Sequence, residues 1–406
     1  MDRTHVIVGG GLAGATAALT LRAQGLDGRV IVVCGERRPP YSRPPLSKSV
    51  VRGEIAPERT ELRPRQVWDD KQIELELGRT AVALSPAAHE LTLEDGERLR
   101  YDKLLLATGG TAGVLAGTEG IPGVHTLRTI EDAVTIRGLL GPERSLAIVG
   151  AGFIGAELAA SAVMAGTRVT LFEVAPAPLS RVLPPVLGRR FTQLHRERTV
   201  DVRVGSGVRM ITPGPGGLRL DDSRGGVVTV DAVVVAIGMV PDVALAAGAG
   251  LATGNGVIVD EFCQSSAPDI YAAGDIACHP NRFLGRRVRI EHWQNAQHQG
   301  AAAARSMLGS REPFTEVPWV WSDQYDVNLQ ITGIPEPGDE VIVRGDLESL
   351  HATAYLLRDG RLAAAAGLNR AEDVRVARRL IAAGVSPPRE TLADPDLDLA
   401  AIAPAA

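Results

Sequence analysis

Val6-Ile7-Val8-Gly9-Gly10-Gly11-Leu12-Ala13-Gly14 is the stretch that decides the fold. Three apolar residues suited to a buried strand run into a turn of the form GxGxxG, and the Ala-rich segment 15–19 that follows suits a helix. In such a turn the first glycine allows a tight bend, the second lets the backbone approach a pyrophosphate, and the third lets helix and strand pack closely. A second apolar strand, 30–33, comes next. Strand, helix and strand in that order predict a parallel sheet with a right-handed crossover.

The same pattern recurs 141 residues later. The apolar run 146–149 leads into Gly150-Ala151-Gly152-Phe153-Ile154-Gly155, then into an Ala-rich helix and a second apolar strand, 169–172. A single GxGxxG is a weak signal, because a Gly-rich turn occurs in many α/β folds. Two copies in the same strand and helix context are far more specific, and they indicate a duplicated nucleotide-binding unit.

Each copy also carries an acidic residue at a similar distance. Glu36 lies 22 residues past Gly14, and Glu173 lies 18 residues past Gly155. A carboxylate in this position accepts hydrogen bonds from ribose hydroxyls and repels a 2′-phosphate. We therefore predict two dinucleotide sites, for which FAD and NAD(P)H are the natural pair, and we expect Glu173 to favour NADH over NADPH.

Composition excludes several classes of protein. The chain has 406 residues, enough for two or three domains, and a formal net charge of −5, which argues against binding to nucleic acid or anionic lipid. We expect no membrane-spanning helix and no secretory signal, because no long uncharged apolar run occurs. The cysteines, Cys34, Cys263 and Cys278, are too few for a disulfide framework and favour a cytoplasmic location.

The sequence predicts no metal site. His292 and His298 lack the spacing and the third ligand of a zinc site, and three thiols cannot supply the four ligands of an iron–sulfur cluster. His195 falls in a polar helical stretch, and we expect it to be solvated.

The rest of the chain is divided by short strands and turns. The segments 104–110 and 233–238 each predict a strand that ends in glycine, and 213–217 predicts a hairpin turn or an exposed loop. From about Pro318 the pattern changes to antiparallel strands with a turn at Asp359-Gly360 and a helix over 371–383. We expect a separate α+β domain of roughly ninety residues, which ends in a mobile Pro/Ala/Asp-rich tail.

Several further motifs carry a resemblance to a known family. The most specific are Arg43-Pro44-Pro45-Leu46-Ser47-Lys48 and Pro318-Trp319-Val320-Trp321-Ser322-Asp323-Gln324-Tyr325. Shorter ones lie at 107–109, 127–129, 150–157, 236–238, 271–275 and 291–296. Together they make the chain resemble, nearly end to end, the NADH-dependent, FAD-containing ferredoxin reductases that serve bacterial cytochrome P450 and Rieske oxygenase systems.

This resemblance implies an α/β fold of the glutathione reductase type, with two Rossmann-like dinucleotide-binding domains and a C-terminal α+β domain. FAD would bind to a discontinuous domain of residues 1–112 and 239–316, and NADH to residues 113–238. The C-terminal domain would span 317–406. The chain would pass electrons from NADH through FAD to a [2Fe–2S] ferredoxin, which in turn supplies the oxygenase.

The Gly motifs and the resemblance together give a set of predicted cofactor-binding residues. The set comprises Gly9, Gly11, Leu12, Ala13, Gly14, Glu36, Arg43, Lys48, Val82, Ala107, Thr108, Gly109, Arg128, Gly150, Gly152, Phe153, Ile154, Gly155, Glu157, Glu173, Gly238, Gly274, Asp275, His292 and Trp293.

Two of these residues are predicted to be catalytic. The resemblance places Lys48 near the reactive edge of the flavin, paired with Glu157. A cation there would stabilise the negative charge of the reduced flavin, and a carboxylate partner would hold that cation in place. The alternatives are that Lys48 is a solvated loop residue and that Glu157 is a favourable acid in the first turn of its helix.

Other members of the set also have structural alternatives. Asp275 would accept hydrogen bonds from the ribityl chain or serve as a helix N-cap. Arg128 and Val82 would otherwise be a surface arginine and a core valine, and Trp293 would otherwise be a core aromatic. Trp319 and Trp321 alternate as on a strand, so we expect them to share one face. Thr199 stands in a turn where the related reductases tend to carry glycine.

Docking of an acidic ferredoxin would need a basic patch, for which the sequence offers several arginines. The candidates are Arg282, Arg286, Arg287, Arg289, Arg305 and Arg311. Two other functions compete. A flavin disulfide or peroxide reductase needs a redox cysteine, but the corresponding loop offers Ser42 and Ser47, and Cys34 lies on or just past a strand. A redox-switch binding protein like apoptosis-inducing factor would need a basic surface or a targeting segment.

Overall fold

The computed structural model describes residues 3–403 and divides the chain into two compact units. The first unit is made of the chain up to residue 42 together with 58–111 and 240–316. The second is made of 43–57, 112–239 and the chain from residue 317 onward. The domain boundaries predicted from the sequence, 1–112 with 239–316, then 113–238 and 317–406, stay a prediction.

A five-stranded parallel sheet forms the core of the first unit. Its strands in spatial order are Ile270–Ala272, Lys103–Leu106, Thr4–Val8, Arg29–Cys34 and Ile73–Leu77. Helices Leu12–Ala23 and Trp293–Met307 pack against each other through small side chains in one of its apolar clusters. The first Gly-rich turn thus joins a central strand to a buried helix, as the sequence predicted.

Smaller elements complete the first unit. Its other helices and 3₁₀ turns are Pro57–Thr60, Arg65–Asp70, Ala244–Gly248 and Gly274–Ile276. Its other strands form two small sheets. One consists of Ala81–Ser85, Glu90–Leu93 and Arg98–Arg100. The other consists of Thr253–Gly254, Gly256–Ile258, Ala277–Asn281 and Arg286–Arg289. Gly110–Ala112 and Met239–Pro241 are short strands at the points where the chain passes from one unit to the other.

The second unit contains a similar parallel sheet. Its strands in spatial order are Asp201–Val204, Arg168–Glu173, Ser145–Val149, Ala232–Val235 and Val124–Thr126. The helices of this part are Ile130–Arg137, Phe153–Met164 and Pro185–Glu197, and the segment 43–57 adds the 3₁₀ turn Pro44–Ser47. Parallel pairing of the strands around both Gly-rich turns confirms the predicted duplication of the strand–helix–strand unit.

Antiparallel structure accounts for the rest of the second unit. Strands Val208–Gly214, Gly217–Asp222 and Val227–Val230 form a small sheet whose first turn is the predicted hairpin at 213–217. A five-stranded sheet follows, in the order Trp319–Gln324, Val327–Gly333, Arg361–Leu368, His351–Arg358 and Glu340–Asp346. Helix Ala371–Ala383 covers the residues predicted for it and ends at Gly384, whose φ is +68°.

The C-terminal tail is the part of the chain that composition predicts wrongly. Helix Arg389–Ala393 and the 3₁₀ turn Leu399–Ala401 bury Leu392 and Leu399. The guanidinium of Arg344, itself 3% exposed, donates to the carbonyl oxygens of Asp394, Pro395 and Leu397. The described tail is therefore held by specific contacts, and residues 404–406 lie outside the described part. Within residues 3–403, no helix combines the length and the apolar character that crossing a membrane requires.

Candidate functional site

The first Gly-rich turn has the geometry that a pyrophosphate needs. A Cβ on Gly9 would lie 2.2 Å from the carbonyl oxygen of Ala107, and one on Gly14 would lie 2.0 Å from the carbonyl oxygen of Gly9. A Cβ on Gly11 would meet nothing within 4 Å. The first and third glycines are thus required by the protein itself, whereas the second faces open space beside the N-terminus of helix Leu12–Ala23.

The second turn repeats this geometry in the second unit. A Cβ on Gly150 would lie 2.5 Å from the carbonyl oxygen of Ala236, and one on Gly155 would lie 1.9 Å from that of Gly150. A Cβ on Gly152, the N-cap of helix Phe153–Met164, would meet nothing within 4 Å. Neither helix has an acidic residue in its first turn. Both helix N-termini therefore remain favourable for phosphate, and both turns fit a dinucleotide.

Of the two acidic residues predicted to face ribose, Glu173 is the last residue of its strand and Glu36 lies two residues past the end of strand Arg29–Cys34. Tyr41 donates its hydroxyl proton to Glu36 across 2.6 Å. The carboxylate of Glu173 accepts the backbone N–H groups of Ala151 and Ala175, each at 2.8 Å. Because Ala151 belongs to the Gly-rich turn itself, Glu173 fixes that turn as well as presenting negative charge beside it.

Other predicted FAD residues lie in the first unit. Gly109 has a φ of +65°, and Thr108 donates to the carbonyl oxygen of Asp242 across 3.0 Å. Gly274 has a φ of +80° and donates its N–H to Oε1 of Gln299 at 2.9 Å. Asp275 is the second residue of the 3₁₀ turn Gly274–Ile276, whose N-cap is Ala273, so the alternative of an ordinary N-cap is wrong.

The close contacts of Ala13 explain why Gly274 and Gly300, which pack against it, are glycines. Ala13 lies in the helix that Leu12 begins, and it is 5% exposed. A Cβ on Gly300 would lie 2.3 Å from the carbonyl oxygen of Ala13, and one on Gly274 would lie 2.8 Å from its Cβ. Ala13 therefore packs beneath both glycines and positions Gly274 and its neighbour Asp275.

Three predicted residues differ in exposure. Val82 is 56% exposed, so the alternative of a core valine is wrong. His292 is the N-cap of helix Trp293–Met307 and Trp293 its first residue, and both are half-buried. Desolvation by burial lowers the pKa of His292 to about 4, so this imidazole is neutral at physiological pH.

Lys48 and Glu157 are in direct contact within the second unit. Nζ of Lys48 lies 2.7 Å from Oε2 of Glu157, and their side chains are 14% and 6% exposed. Lys48 is therefore not a solvated loop residue. Glu157 is the fifth residue of its helix, so it is not a first-turn acid either. The hydroxyls of Ser47 and Ser322 donate to the same carboxylate.

The remaining predicted residues of the second unit are Arg43, Arg128, Phe153, Ile154 and Gly238. Arg43 donates from Nη1 to the carbonyl oxygen of Arg128, whose own N–H donates to Asp132 at 2.8 Å. Ile154 is 40% exposed and Phe153 is half-buried, both at the start of the helix that carries Glu157. Gly238, with a φ of +109°, ends the segment that leads out of strand Ala232–Val235.

All the cysteines are buried and free of disulfides. Cys34 is the last residue of its strand, and burial raises its pKa and that of Cys263 to about 12. Burial also raises the pKa of Cys278. A thiol that redox chemistry could use needs a low pKa and access to its partner, and none of the three has both.

Two further predictions made from the sequence are wrong. His195 is fully buried rather than solvated, and it contacts Gln324 and Tyr325. Arg289 belongs to no open basic patch, because its side chain is 8% exposed and binds Asn255, Glu291 and the carbonyl oxygen of Asp275. Trp319 and Trp321 do share a face, as predicted, and their rings stack with centroids 5.3 Å apart.

Sequence reasoning missed the partners of Glu157 other than Lys48. Ser47 and Ser322 stand inside the two motifs that gave the most specific resemblance, and Gln324 and Tyr325 complete the second of them. These polar residues on a strand that also carries two tryptophans were the available signal. The sequence did not show which residue they bind, because Ser322 and Glu157 are 165 residues apart in the chain.

Comparisons with known proteins agree with this geometry. Residues 3–300 match the family model for pyridine nucleotide-disulphide oxidoreductases, and residues 319–403 match that for the reductase C-terminal domain. The ferredoxin reductase subunit of 5,5′-dehydrodivanillate O-demethylase from Sphingobium sp. is 43% identical, with 97% of each chain covered. The ferredoxin–NAD(+) reductase component of the anthranilate 1,2-dioxygenase system from Burkholderia cepacia is 41% identical, with 97% of this chain and 98% of the relative covered.

Solved structures extend the comparison to the whole fold. The covalent putidaredoxin reductase–putidaredoxin complex matches with a TM-score of 0.94 and 34% identity, covering 98% of this chain and 97% of the other. The ferredoxin reductase for the CYP199A2 system from Rhodopseudomonas palustris matches with a TM-score of 0.96 and 32% identity, covering 99% and 100%. The chain belongs to the pyridine nucleotide-disulphide oxidoreductase family. Within that family it groups with the ferredoxin reductase components of oxygenase systems.

Proposed function

We propose that this protein passes electrons from NADH through FAD to a small [2Fe–2S] ferredoxin, which supplies a cytochrome P450 or a Rieske oxygenase. The observation that carries the proposal is the pair of Gly-rich turns. Each leaves its second glycine open and uses its first and third glycines for close packing. Relatives named as ferredoxin reductases over the full length of the chain support the choice of acceptor.

The first unit would hold FAD. The turn at Gly9, Gly11 and Gly14 would bind its pyrophosphate, Glu36 its ribose, and Asp275 its ribityl hydroxyls. FAD held there would supply the chemistry that links a two-electron hydride donor to a one-electron acceptor. The protein supplies orientation and exclusion of water, and the neutral imidazole of His292 adds no charge to the site.

The second unit would hold NADH at the turn formed by Gly150, Gly152 and Gly155. Glu173 would accept hydrogen bonds from the adenosine ribose and repel a 2′-phosphate. Lys48, held by Glu157, would offer its cation to the flavin and would stabilise negative charge on the ring. Three free and buried cysteines suit a reducing compartment, which supports a cytoplasmic location.

Both competing functions lack support from particular residues. A disulfide or peroxide reductase would need a reactive thiol, but burial raises the pKa of every cysteine. A redox-switch binding protein would need a basic binding surface, whereas the net charge is −5. An NADH-dependent gain of titratable thiols would favour the first alternative, and slow turnover with every ferredoxin would favour the second.

An absorbance experiment tests the cofactors. Purified protein loaded with FAD should show flavin absorbance that bleaches on anaerobic addition of NADH and not on addition of equal NADPH. The reduced protein should then support cytochrome c reduction only when a [2Fe–2S] ferredoxin is added. Protein that cannot be loaded with flavin would contradict the proposal.

Glu173 provides the test of coenzyme choice. Glu173→Ser removes the carboxylate that repels a 2′-phosphate, so kcat/KM should fall for NADH and rise for NADPH by about tenfold each. Glu36→Ser, the matched change at the other turn, should weaken FAD retention and leave the ratio of NADH to NADPH unchanged. A ratio that does not move in Glu173→Ser would reject this role for the residue.

Exposed arginines of the first unit provide the test of ferredoxin docking. Arg282 and Arg286 are exposed, whereas Arg289 is not, so the reversal R282E/R286E tests the patch. We expect a higher KM for ferredoxin and unchanged ferricyanide reduction. The control reversal R98E/R100E, at positions whose side chains are 71% and 87% exposed in the same unit, should leave both unchanged. An unchanged KM in R282E/R286E would reject the patch.

A further inference from the structure

A buried chain of hydrogen bonds runs through the second unit from Lys48 to Tyr325. Beyond the ion pair of Lys48 and Glu157, Oε1 of Glu157 lies 2.8 Å from Oγ of Ser322. Oγ of Ser322 lies 3.1 Å from Nε2 of Gln324, whose Oε1 lies 3.0 Å from Nε2 of His195. Nδ1 of His195 lies 2.9 Å from the Tyr325 hydroxyl. The three middle residues, Ser322, Gln324 and His195, are each 0% exposed.

The Glu157 carboxylate fixes the direction of every bond in this chain. A carboxylate only accepts, so Ser322 must donate its hydroxyl proton to Glu157. The Ser322 oxygen is then the acceptor for the Gln324 amide, which turns Oε1 of Gln324 toward His195. Nε2 of His195 must therefore carry a proton, and Nδ1 of the neutral ring must accept from Tyr325.

The titration behaviour of His195 and Tyr325 agrees with this direction. Desolvation by burial lowers the pKa of His195 to about 4, which keeps the ring neutral with a single N–H. Burial raises the pKa of the Tyr325 hydroxyl, which therefore keeps its proton and donates it. Four successive donors thus point toward one anion, and such a chain is strengthened cooperatively.

Tyr325 adopts an unfavourable backbone conformation to take part. It stands with Asp326 in the two-residue turn between strands Trp319–Gln324 and Val327–Gly333, and its φ is +57°. This conformation favours glycine and is unfavourable for a bulky residue. The ring lies under the guanidinium of Arg198, 5.2 Å from the centroid, and that arginine also pairs with Asp326 at 2.8 Å. The turn and Arg198 thus hold the Tyr325 ring where its hydroxyl contacts Nδ1 of His195.

We propose that Ser322, Gln324, His195 and Tyr325 form a positioning relay that fixes the Glu157 carboxylate and, through it, the ammonium of Lys48. The inference rests on the proposed function, because the position of Lys48 matters only if its cation acts beside the flavin. His195 is thus a positioning residue that acts on Glu157 through Gln324 and Ser322. Its Nε2–H tautomer keeps each of the other side chains in one orientation.

Other charged groups near Glu157 do not replace the relay. Arg52 reaches the same helix but donates to Ser161 at 3.1 Å, and Ser161 donates to the carbonyl oxygen of Ser47 at 2.8 Å. Asp323, the neighbour of Ser322 on the strand, accepts from Nδ2 of Asn328 at 2.6 Å. These contacts hold the flanking segments, while Lys48, Ser47 and Ser322 donate to Glu157 itself.

The tautomer of His195 can be observed directly. In nitrogen-15 NMR of histidine-labelled holoenzyme, the His195 signals are assigned by their loss in His195→Gln. They should show a neutral ring that is protonated at Nε2 and unchanged between pH 8 and about 5. A ring protonated at Nδ1, or one that gains a second proton near pH 6.5, would overturn the proposal. This readout does not depend on electron transfer.

The effect on the flavin is tested through its midpoint potential, measured by equilibration with a redox dye. Lys48→Met should lower the ratio of reduced to oxidised flavin at a fixed dye ratio by about tenfold, which for a two-electron couple corresponds to about 30 mV. His195→Leu should lower it about threefold, and His195→Gln, which can still donate from Nε2, should restore the ratio. In a Lys48→Met background, His195→Leu should have no further effect.

A matched control separates the relay from general destabilisation. Phe191 is buried on the same helix as His195 and contributes no hydrogen bond to the relay, so Phe191→Leu should lower thermal stability without shifting the potential. If Lys48→Met leaves the potential unchanged, the proposed role of Lys48 at the flavin fails. If Lys48→Met shifts the midpoint potential and His195→Leu does not, the relay is rejected and the proposed function stands. The same conclusion follows if His195→Leu still shifts the potential in the Lys48→Met background.

Discussion

At the scale of single residues, the glycines of each turn divide into two kinds. The first and third are surrounded by backbone, whereas the second faces open space in both copies. The sequence motif does not reveal this difference, because all three positions carry glycine. The distinction separates glycines that the fold requires from glycines that a ligand requires.

Alanine substitutions in the second turn should therefore have opposite consequences. Gly152 has a φ of −71°, which alanine adopts readily, so Gly152→Ala should leave thermal stability unchanged and raise KM for NADH at least tenfold. In Gly155→Ala the new Cβ would lie 1.9 Å from the carbonyl oxygen of Gly150, which should destabilise the protein by about 1–3 kcal/mol. Thermal melts and steady-state kinetics measure both. Equal loss of stability in the two variants would contradict the division.

At the scale of elements, helix Pro185–Glu197 ends in a motif that normally uses glycine. The N–H of Val200 donates to the carbonyl oxygen of His195 and that of Thr199 to Arg196, each at 3.0 Å, which is the Schellman arrangement. It forces Thr199 to a φ of +68°, an unfavourable value for a β-branched residue.

Thr199→Gly should consequently stabilise the protein. Glycine removes the cost of the left-handed conformation, which is about 1–2 kcal/mol. Its larger loss of conformational entropy on folding costs about 0.5–1 kcal/mol. The free energy of unfolding should therefore rise by about 0.5–1 kcal/mol. The reverse change, Gly384→Ala, at a φ of +68° after helix Ala371–Ala383, should destabilise by about 1 kcal/mol. Thermal melts of the two variants should move in opposite directions; a lower melting temperature for Thr199→Gly would count against the argument.

The C-terminal tail gives a second prediction at this scale. Arg344→Leu removes the donors to three tail carbonyls, so the tail should open more often and trypsin should cut after Arg389 at least tenfold faster. Arg375→Leu, which changes an exposed arginine on helix Ala371–Ala383, is the control and should leave the rate unchanged. Cleavage at the wild-type rate in Arg344→Leu would show that the other tail contacts suffice.

At the scale of the whole molecule, the sequence predicts features encoded over short stretches. The Gly-rich turns, the hairpin at 213–217 and helix Ala371–Ala383 are local patterns, and the structure has them. His195 was misjudged because its partner Gln324 is 129 residues away. A local signal existed, since Leu187, Phe191 and His195 recur every four residues on the buried face of their helix. The tail was misjudged for the same reason, because Arg344 lies at least 50 residues before the carbonyls it binds.

Buried histidines in both units give the molecule a specific response to acid. His5, His195 and His279 are at most 2% exposed, and desolvation by burial lowers the pKa of each to about 4. Above the unfolded pKa of about 6.5 both states are neutral and nothing changes. As the pH falls from about 6.5 to about 4, these histidines take up protons in the unfolded chain but not in the folded chain. Each of the three therefore lowers the free energy of unfolding by about 1.4 kcal/mol for every unit by which the pH falls.

Calorimetric unfolding of the holoenzyme, in buffers of different ionisation enthalpy, measures this proton uptake directly. Near pH 5 the three histidines should contribute close to three protons in addition to those taken up by carboxylates. His279→Gln should reduce the uptake by about one proton, because one buried ring that stays neutral in the folded state is gone. Equal uptake in wild type and His279→Gln would mean that the buried imidazole is already protonated in the folded protein.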